Sequence, residues 1–244
     1  MRYARIVIKL SGGAFAGDSA SGFNKVAVDL LADEILSVAE MGIQVAVMVG
    51  GGNIFRGRLA DQWGIERAEA DNIGMLATVV NSLVLRGALT ARSAREVRVM
   101  TAIPMASVTE PYIRLRAIKH LEKGYIVIFA GGTGQPFVTT DYPAVQRAIE
   151  VRSEVILAAK QGVNGVYEAD PNSHPGARQF AAISYDDVLT RGLSVMDQSA
   201  FILARDHELP IHVFDVEAKG AMRRICEGAD AGTYIGPGVS TTLS

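Results

Sequence analysis

The chain has 244 residues, 49% of them hydrophobic and 20% charged, enough to bury a sizeable core as one large α/β domain or two small lobes. A formal net charge of −2 provides no global basic field for nucleic acid or an acidic membrane, and the one cysteine, Cys226, excludes an intramolecular disulfide framework and suits a reducing compartment. RYARIVIKL after Met1 is too short and interrupted for a signal peptide, and no apolar run approaches the roughly 18 residues of a bilayer span, so a soluble cytoplasmic protein is expected.

RIVIKL (5–10) is the first of several short, nearly continuous apolar runs and is followed by KLSGG. A helix is predicted from Asn24, a natural N-cap, to Gly42, a natural stop, with Ala27, Leu31, Ile35 and Val38 at helical spacing. VAVMV (45–49) is the second strand and leads into GGGNIFRG; a loosely periodic stretch over 66–93 is helical although Gly74 and Gly87 weaken it. EPYIRLRAIKHLEKG (110–124) forms a third helix, and its basic residues Arg114, Arg116, Lys119 and Lys123 read as a solvated face. YIVIFA (125–130), EVILAA (154–159) and PIHVFD (210–215) complete the strands, with a surface loop over 169–178.

Strands hydrophobic along their whole length, alternating with helices, predict a three-layer α/β/α sandwich with a mainly parallel central sheet. No low-complexity linker or repeat divides the chain, so residues 1–244 are expected as one domain, with two lobes meeting near residue 155.

In such folds ligands sit beyond the carboxyl ends of the strands, where the glycines cluster: KLSGG (9–13), GGGNIFRG (50–57) and AGGTGQPFVTTD (130–141). One such loop reads most simply as a tight turn. Three at corresponding strand ends point to phosphate, because backbone without Cβ atoms can aim several N–H groups into one concavity. Lys9, at the end of a buried strand, suits a phosphate better than a desolvated, unpaired position, and Arg56 offers a two-pronged grip. Asp141 is expected to cap the helix after the third loop. The phosphate-binding pattern GxxxxGK followed by Ser or Thr is missing, no GxGxxG follows the first strand, and HExxH, CxxC and GxSxG do not occur.

KLSG (9–12), GGGNIFRG, ADNIGMLATVVNSL (70–83), EPYIRLRAIKHLEKG, GTGQPFVTTD (132–141), GVNGVYEADP (162–171) and GLSVMDQSAFILARD (192–206) occur in an order that resembles the bacterial UMP kinase family of the amino-acid-kinase superfamily. The resemblance runs from about Ile6 to Ile235 and implies in-line transfer of the γ-phosphoryl group of Mg-ATP to UMP. By the same resemblance Lys9, Leu10, Ser11 and Gly12 meet the ATP phosphates, and Gly52 and Arg56 make further ATP contacts. Gln161, Tyr167 and Asp170, with Lys160, surround the rest of ATP. Gly51, Asp71 and the loop Thr133, Gly134, Gln135, Pro136, Phe137, Val138, Thr139 and Thr140 hold UMP. Lys9, Arg56, Asp141, Lys160 and Asp197 form the catalytic group, and the only metal is magnesium carried by ATP.

The resemblance also implies a homohexamer, inhibition by UTP, and activation by GTP through Gly17, Asp18, Ser19, Ala20, Ser21 and Gly22. It makes the lobe over about 1–155 the UMP-binding one and that over about 156–244 the ATP-binding one. Gly13, Gly131, Tyr142-Pro143 and Asn164 depart from the family pattern, Asn164 replacing an aspartate near the expected ATP region. Two other readings share the scaffold: a kinase acting on a carboxylate or carbamate, and a nucleotide-binding protein without catalysis.

Overall fold

The computed structural model describes residues 2–19 and 21–244, so Ala20 of the expected GTP loop lies outside the described residues. In chain order the first half contains β1 (Arg5–Leu10), α1 (Gly13–Ala16), α2 (Lys25–Ala39), β2 (Gln44–Val49), α3 (Gly57–Trp63), α4 (Arg67–Thr90), β3 (Val97–Thr101), β4 (Glu110–Pro111), α5 (Arg114–Glu122) and β5 (Ile126–Ala130). The second half contains α6 (Asp141–Glu150), β6 (Val155–Lys160), β7 (Phe180–Ser184), α7 (Tyr185–Thr190), α8 (Gln198–Asp206), β8 (Ile211–Asp215), α9 (Ala221–Glu227), β9 (Thr233–Gly236) and β10 (Thr242–Leu243). The strands form one sheet in the order β10-β7-β9-β8-β6-β1-β2-β5-β3-β4. All neighbours are parallel except β8 with β9 and β7 with β10.

Alternation along each strand sends successive side chains to opposite faces, and both faces are covered. Ile6, Ile8 and Leu10 of β1 pack with Leu31 and Ile35 of α2, Leu85 and Leu89 of α4, and Met222 and Ile225 of α9. Val7, by contrast, joins Leu121 of α5, Ala144 and Ala148 of α6, and Phe201 of α8 on the other face. Each fully buried aliphatic side chain in these layers contributes about 1.5–3 kcal/mol.

β1 keeps its expected bounds, and the other expected strands and helices shift at their ends by one to a few residues. Asn24 caps α2 by accepting hydrogen bonds from the N–H groups of Val26 and Ala27, and Gly42 follows it at φ +83°. Residues 110–111 pair with β3 as a short strand, so the third expected helix starts only at Arg114. α4 corrects the expectation of no membrane-length run: by length and composition alone it is apolar enough to cross a bilayer. It packs as a core helix, burying Met75, Val79, Leu85 and Leu89.

His212 on β8 is 3% exposed; its ring meets Tyr234 edge-on and its Nε2 lies 3.1 Å from the Tyr3 hydroxyl. Burial, helped by the nearby Arg2 cation, pushes its pKa down to about 4. The unfolded chain therefore binds this proton more readily. The stability it confers is complete above pH 6.5 and is lost as pH falls through 4, on the order of 3 kcal/mol. Urea unfolding at pH 7 and pH 4 is expected to show a loss that shrinks by about this amount in His212→Gln; an equal loss in both proteins contradicts it.

Candidate active site

β6, β1, β2 and β5 are parallel neighbours in the middle of the sheet, so the loops that leave their carboxyl ends meet at one end of the strands. On one side Gly12, Gly51, Gly52, Arg56, Asp71 and Thr140 face a cavity of about 500 Å³. On the other, beyond β6, Lys160, Gln161, Tyr167, Asp170 and Val195 face a second cavity of about 550 Å³.

Glycine backbone forms part of the wall of the first cavity, beside Phe55, Met75 and Val138. Gly12 approaches the second loop so closely that a Cβ would lie 2.3 Å from the Gly52 nitrogen, and one on Gly51 would lie 2.6 Å from the Gly74 oxygen. The N–H groups of Gly12, Gly13, Gly51 and Gly52 donate to nothing among the described residues, as anion-binding donors require. Arg56 adds charge: its Nε donates to the Gly52 oxygen at 2.7 Å, and it has no ion-pair partner among the described residues. Gly12→Ala is expected to force the loops apart, destabilising by about 1–3 kcal/mol and lowering kcat/KM about 100-fold. Wild-type kinetics in that variant would show that the close approach is not needed.

Lys9 is 6% exposed and pairs with Asp141, Nζ to Oδ1 at 2.6 Å. Asp141 is therefore not the expected cap. It is the first residue of α6, Thr140 holds the cap position without a side-chain bond, and the carboxylate turns to the lysine instead. Its second oxygen accepts the N–H of Asp197 at 3.1 Å, and Thr139 donates its hydroxyl to the Asp197 carboxylate. Lys160 shares a sheet face with Lys9 and donates to the Val195 carbonyl. Burial, then the Lys9 charge, push its pKa down to about 8 against the pull of Asp141 and Asp197. Two ammonium groups and two carboxylates thus meet between the cavities.

Asp71 sits in the first turns of α4. The Arg67 Nε lies 3.0 Å from each of its oxygens, and one of these also accepts the Phe137 N–H at 2.8 Å. Phe137 has φ +66°, an uncommon conformation for a residue with a side chain, and its ring is largely exposed. Only the end of the expected acceptor loop, Val138, Thr139 and Thr140, lines the first cavity; Thr133, Gly134, Gln135, Pro136 and Phe137 lie outside its wall.

Other expected residues separate. Leu10 is fully buried, so only its backbone is near the site. The Asp170 carboxylate turns into its own loop, accepting from the Asn172 N–H and the Ser173 hydroxyl. Gly17 and Asp18 border a third cavity of about 360 Å³ with Asn24 and Gln161. Gln161 also donates to the Gly17 oxygen, while Ser19 donates its N–H to Ala16 and Gly22 donates its own to Asn53; Ser21 makes no hydrogen bond among the described residues. Asn164, expected near ATP, borders a different cavity with Arg2 and His212, whereas its neighbours Val163 and Gly165 line the second.

Sequence reasoning missed the face of α4 that holds both glycine loops. The Thr78 hydroxyl accepts the N–H of Gly131, which has φ +73°, and Asn81 donates to the Gly50 oxygen. Asp71, Gly74, Thr78 and Asn81 recur at steps of three and four, a stripe of polar and small residues visible in the sequence.

The sequence profile of the Amino acid kinase family matches residues 4–215. This chain belongs to the amino acid kinase family. Among proteins similar to this amino acid kinase, "Uridylate kinase" of Frankia casuarinae is 60% identical over 234 residues, 96% of this chain and 90% of that protein. The "Uridylate kinase" of Frankia alni is 59% identical, over 96% and 91%. The crystal structure of UMP kinase from Bacillus anthracis superimposes with TM-score 0.97 at 55% identity, covering 100% of both chains. That of UMP kinase from Ureaplasma parvum gives 0.90 at 34%, covering 97% of this amino acid kinase and 100% of the other chain.

Proposed function

We propose that this amino acid kinase transfers the γ-phosphoryl group of ATP to the 5′-phosphate of UMP, giving UDP and ADP. The observation that carries the reading is the meeting of Lys9, Lys160, Asp141 and Asp197 between two nucleotide-sized cavities at one end of the strands. The relatives named for uridylate supply the acceptor.

UMP occupies the cavity over Gly51 and Asp71, with Val138 to Thr140 along its wall, and ATP reaches from Tyr167 towards Lys9 and Gly12. The half over residues 1–155 then holds the acceptor and that over 156–244 the donor. The attacking phosphate oxygen is already ionised, so no general base is required. Catalysis is alignment by the glycine N–H groups together with charge neutralisation by Lys9, Arg56 and Lys160. Asp141 orients the Lys9 ammonium and abstracts no proton.

Magnesium fits as a group carried on the triphosphate. Among the described residues no three His, Cys, Asp or Glu side chains cluster to cage an ion, and Asp141 is committed to Lys9. When bound, the metal neutralises charge on the β- and γ-phosphate oxygens. Cytoplasmic location, a homohexamer, UTP inhibition and GTP activation through residues 17–22 belong to the same reading.

A test is to incubate the pure protein with Mg-ATP and UMP, CMP, dTMP, aspartate or acetylglutamate and to follow ADP. Turnover with UMP alone is expected. Turnover only with an amino acid would replace the reading with a carboxylate kinase, and no turnover would leave a binding protein. Light scattering, with and without GTP or UTP in the assay, tests the assembly and its effectors.

A further inference from the structure

Two buried asparagines beneath the first cavity have every amide hydrogen in use. Asn53 is 1% exposed and Asn81 is fully buried. Asn81 Nδ2 donates to Asn53 Oδ1 at 2.6 Å, and Asn53 Nδ2 donates back to Asn81 Oδ1 at 3.1 Å. Each amide keeps one further N–H. Asn81 gives its own to the Gly50 oxygen at 2.7 Å, and Asn53 gives its own to the Gly22 oxygen at 2.9 Å. The Gly22 N–H in turn donates to the Asn53 main-chain oxygen at 2.9 Å. Turning either amide over would set its oxygen against a carbonyl, so the arrangement has one direction.

The consequence lies in the peptide between Gly50 and Gly51. The peptide is trans, so its C=O and N–H point opposite ways. Drawing the Gly50 oxygen down to Asn81 turns the Gly51 N–H away from the buried pair, and Gly51 lines the cavity with that N–H free among the described residues. We propose that Asn53 and Asn81 are positioning residues: they aim the Gly51 N–H at a phosphate and tie that aim to the position of Gly22. Neither side chain borders the cavity, so both act through the backbone. The inference rests on the reading that a nucleotide phosphate occupies the first cavity.

The test compares wild type with Asn81→Leu, which keeps the branched outline without donors but is larger, and with the smaller Asn81→Ser, at a temperature where circular dichroism shows all three folded. Both variants are expected to lose about 100-fold in kcat/KM, with kcat reduced as well as KM raised. A structural role alone would lower the melting temperature and leave kcat intact below it, and that result overturns the proposal. Wild-type protein failing to turn over UMP would overturn the reading of the site instead.

Amide exchange on wild type decides the question even if neither variant folds. Adding UMP, or Mg with a non-hydrolysable ATP analogue, is expected to slow exchange at Gly22 together with residues 50–53. Slowing confined to 50–53 would contradict the coupling.

Discussion

Lys9→Met is expected to fold and to bind nucleotides while its kcat for phosphoryl transfer falls about a thousandfold. Methionine matches the lysine stem in length and enters the face of β1 that already buries Val7, so packing survives. What is lost is a nearly buried ammonium held 2.6 Å from Asp141, where its charge is screened little by water. A cation that meets the group in flight stabilises the transition state more than the bound substrate, so kcat falls further than KM rises. Single-turnover measurements with saturating Mg-ATP and UMP check this, and wild-type kcat in the variant would remove Lys9 from the mechanism.

Asp141→Asn should have the next largest effect, because it removes the carboxylate paired with Lys9 and leaves Asp197 to balance two ammonium groups. The amide can still accept the Asp197 N–H, but it cannot neutralise Lys9. Breaking one side of such a buried pair costs about 3 kcal/mol, and a misdirected Lys9 lowers turnover about 100-fold. Two further signs follow. Mg-ATP supplies negative charge that the variant lacks, so it should raise the melting temperature more in the variant than in wild type. The Lys160 pKa, about 8 with Asp141 pulling it up, should fall further, so activity is lost at a lower alkaline pH. Melting curves that move equally with Mg-ATP in both proteins would contradict the paired-carboxylate account.

Five of the strands were legible because the parallel sheet buries them on both faces, leaving continuous apolar runs such as RIVIKL and YIVIFA. β3 was missed because VRVMT carries an arginine that stays partly exposed near the sheet edge. β7 (FAAIS) and β9 (TYIG) are too short and mixed to stand out, and the antiparallel pairing of β8 with β9 follows from packing rather than from any local signal.

At the site, the three glycine loops and the cations were readable because each sits in a contiguous motif. Partners were not. Asp141 read as a helix cap from its local position, and only the resemblance put it with Lys9 in the catalytic group, where the fold brings the two together; nothing near Asp71 in the chain announces the Phe137 N–H. The same separation hid Asn53 and Asn81, whose roles exist only once α4 lies against the glycine turn.

The most direct measurement is a crystal structure with UMP and a non-hydrolysable Mg-ATP analogue bound together. The account predicts uridylate over Gly51 and Asp71, the base of the analogue beside Tyr167, and the two phosphate chains end to end at Lys9. Either nucleotide lodged away from this end of the strands, or Lys9 still paired to Asp141 with no phosphate within reach, would contradict it.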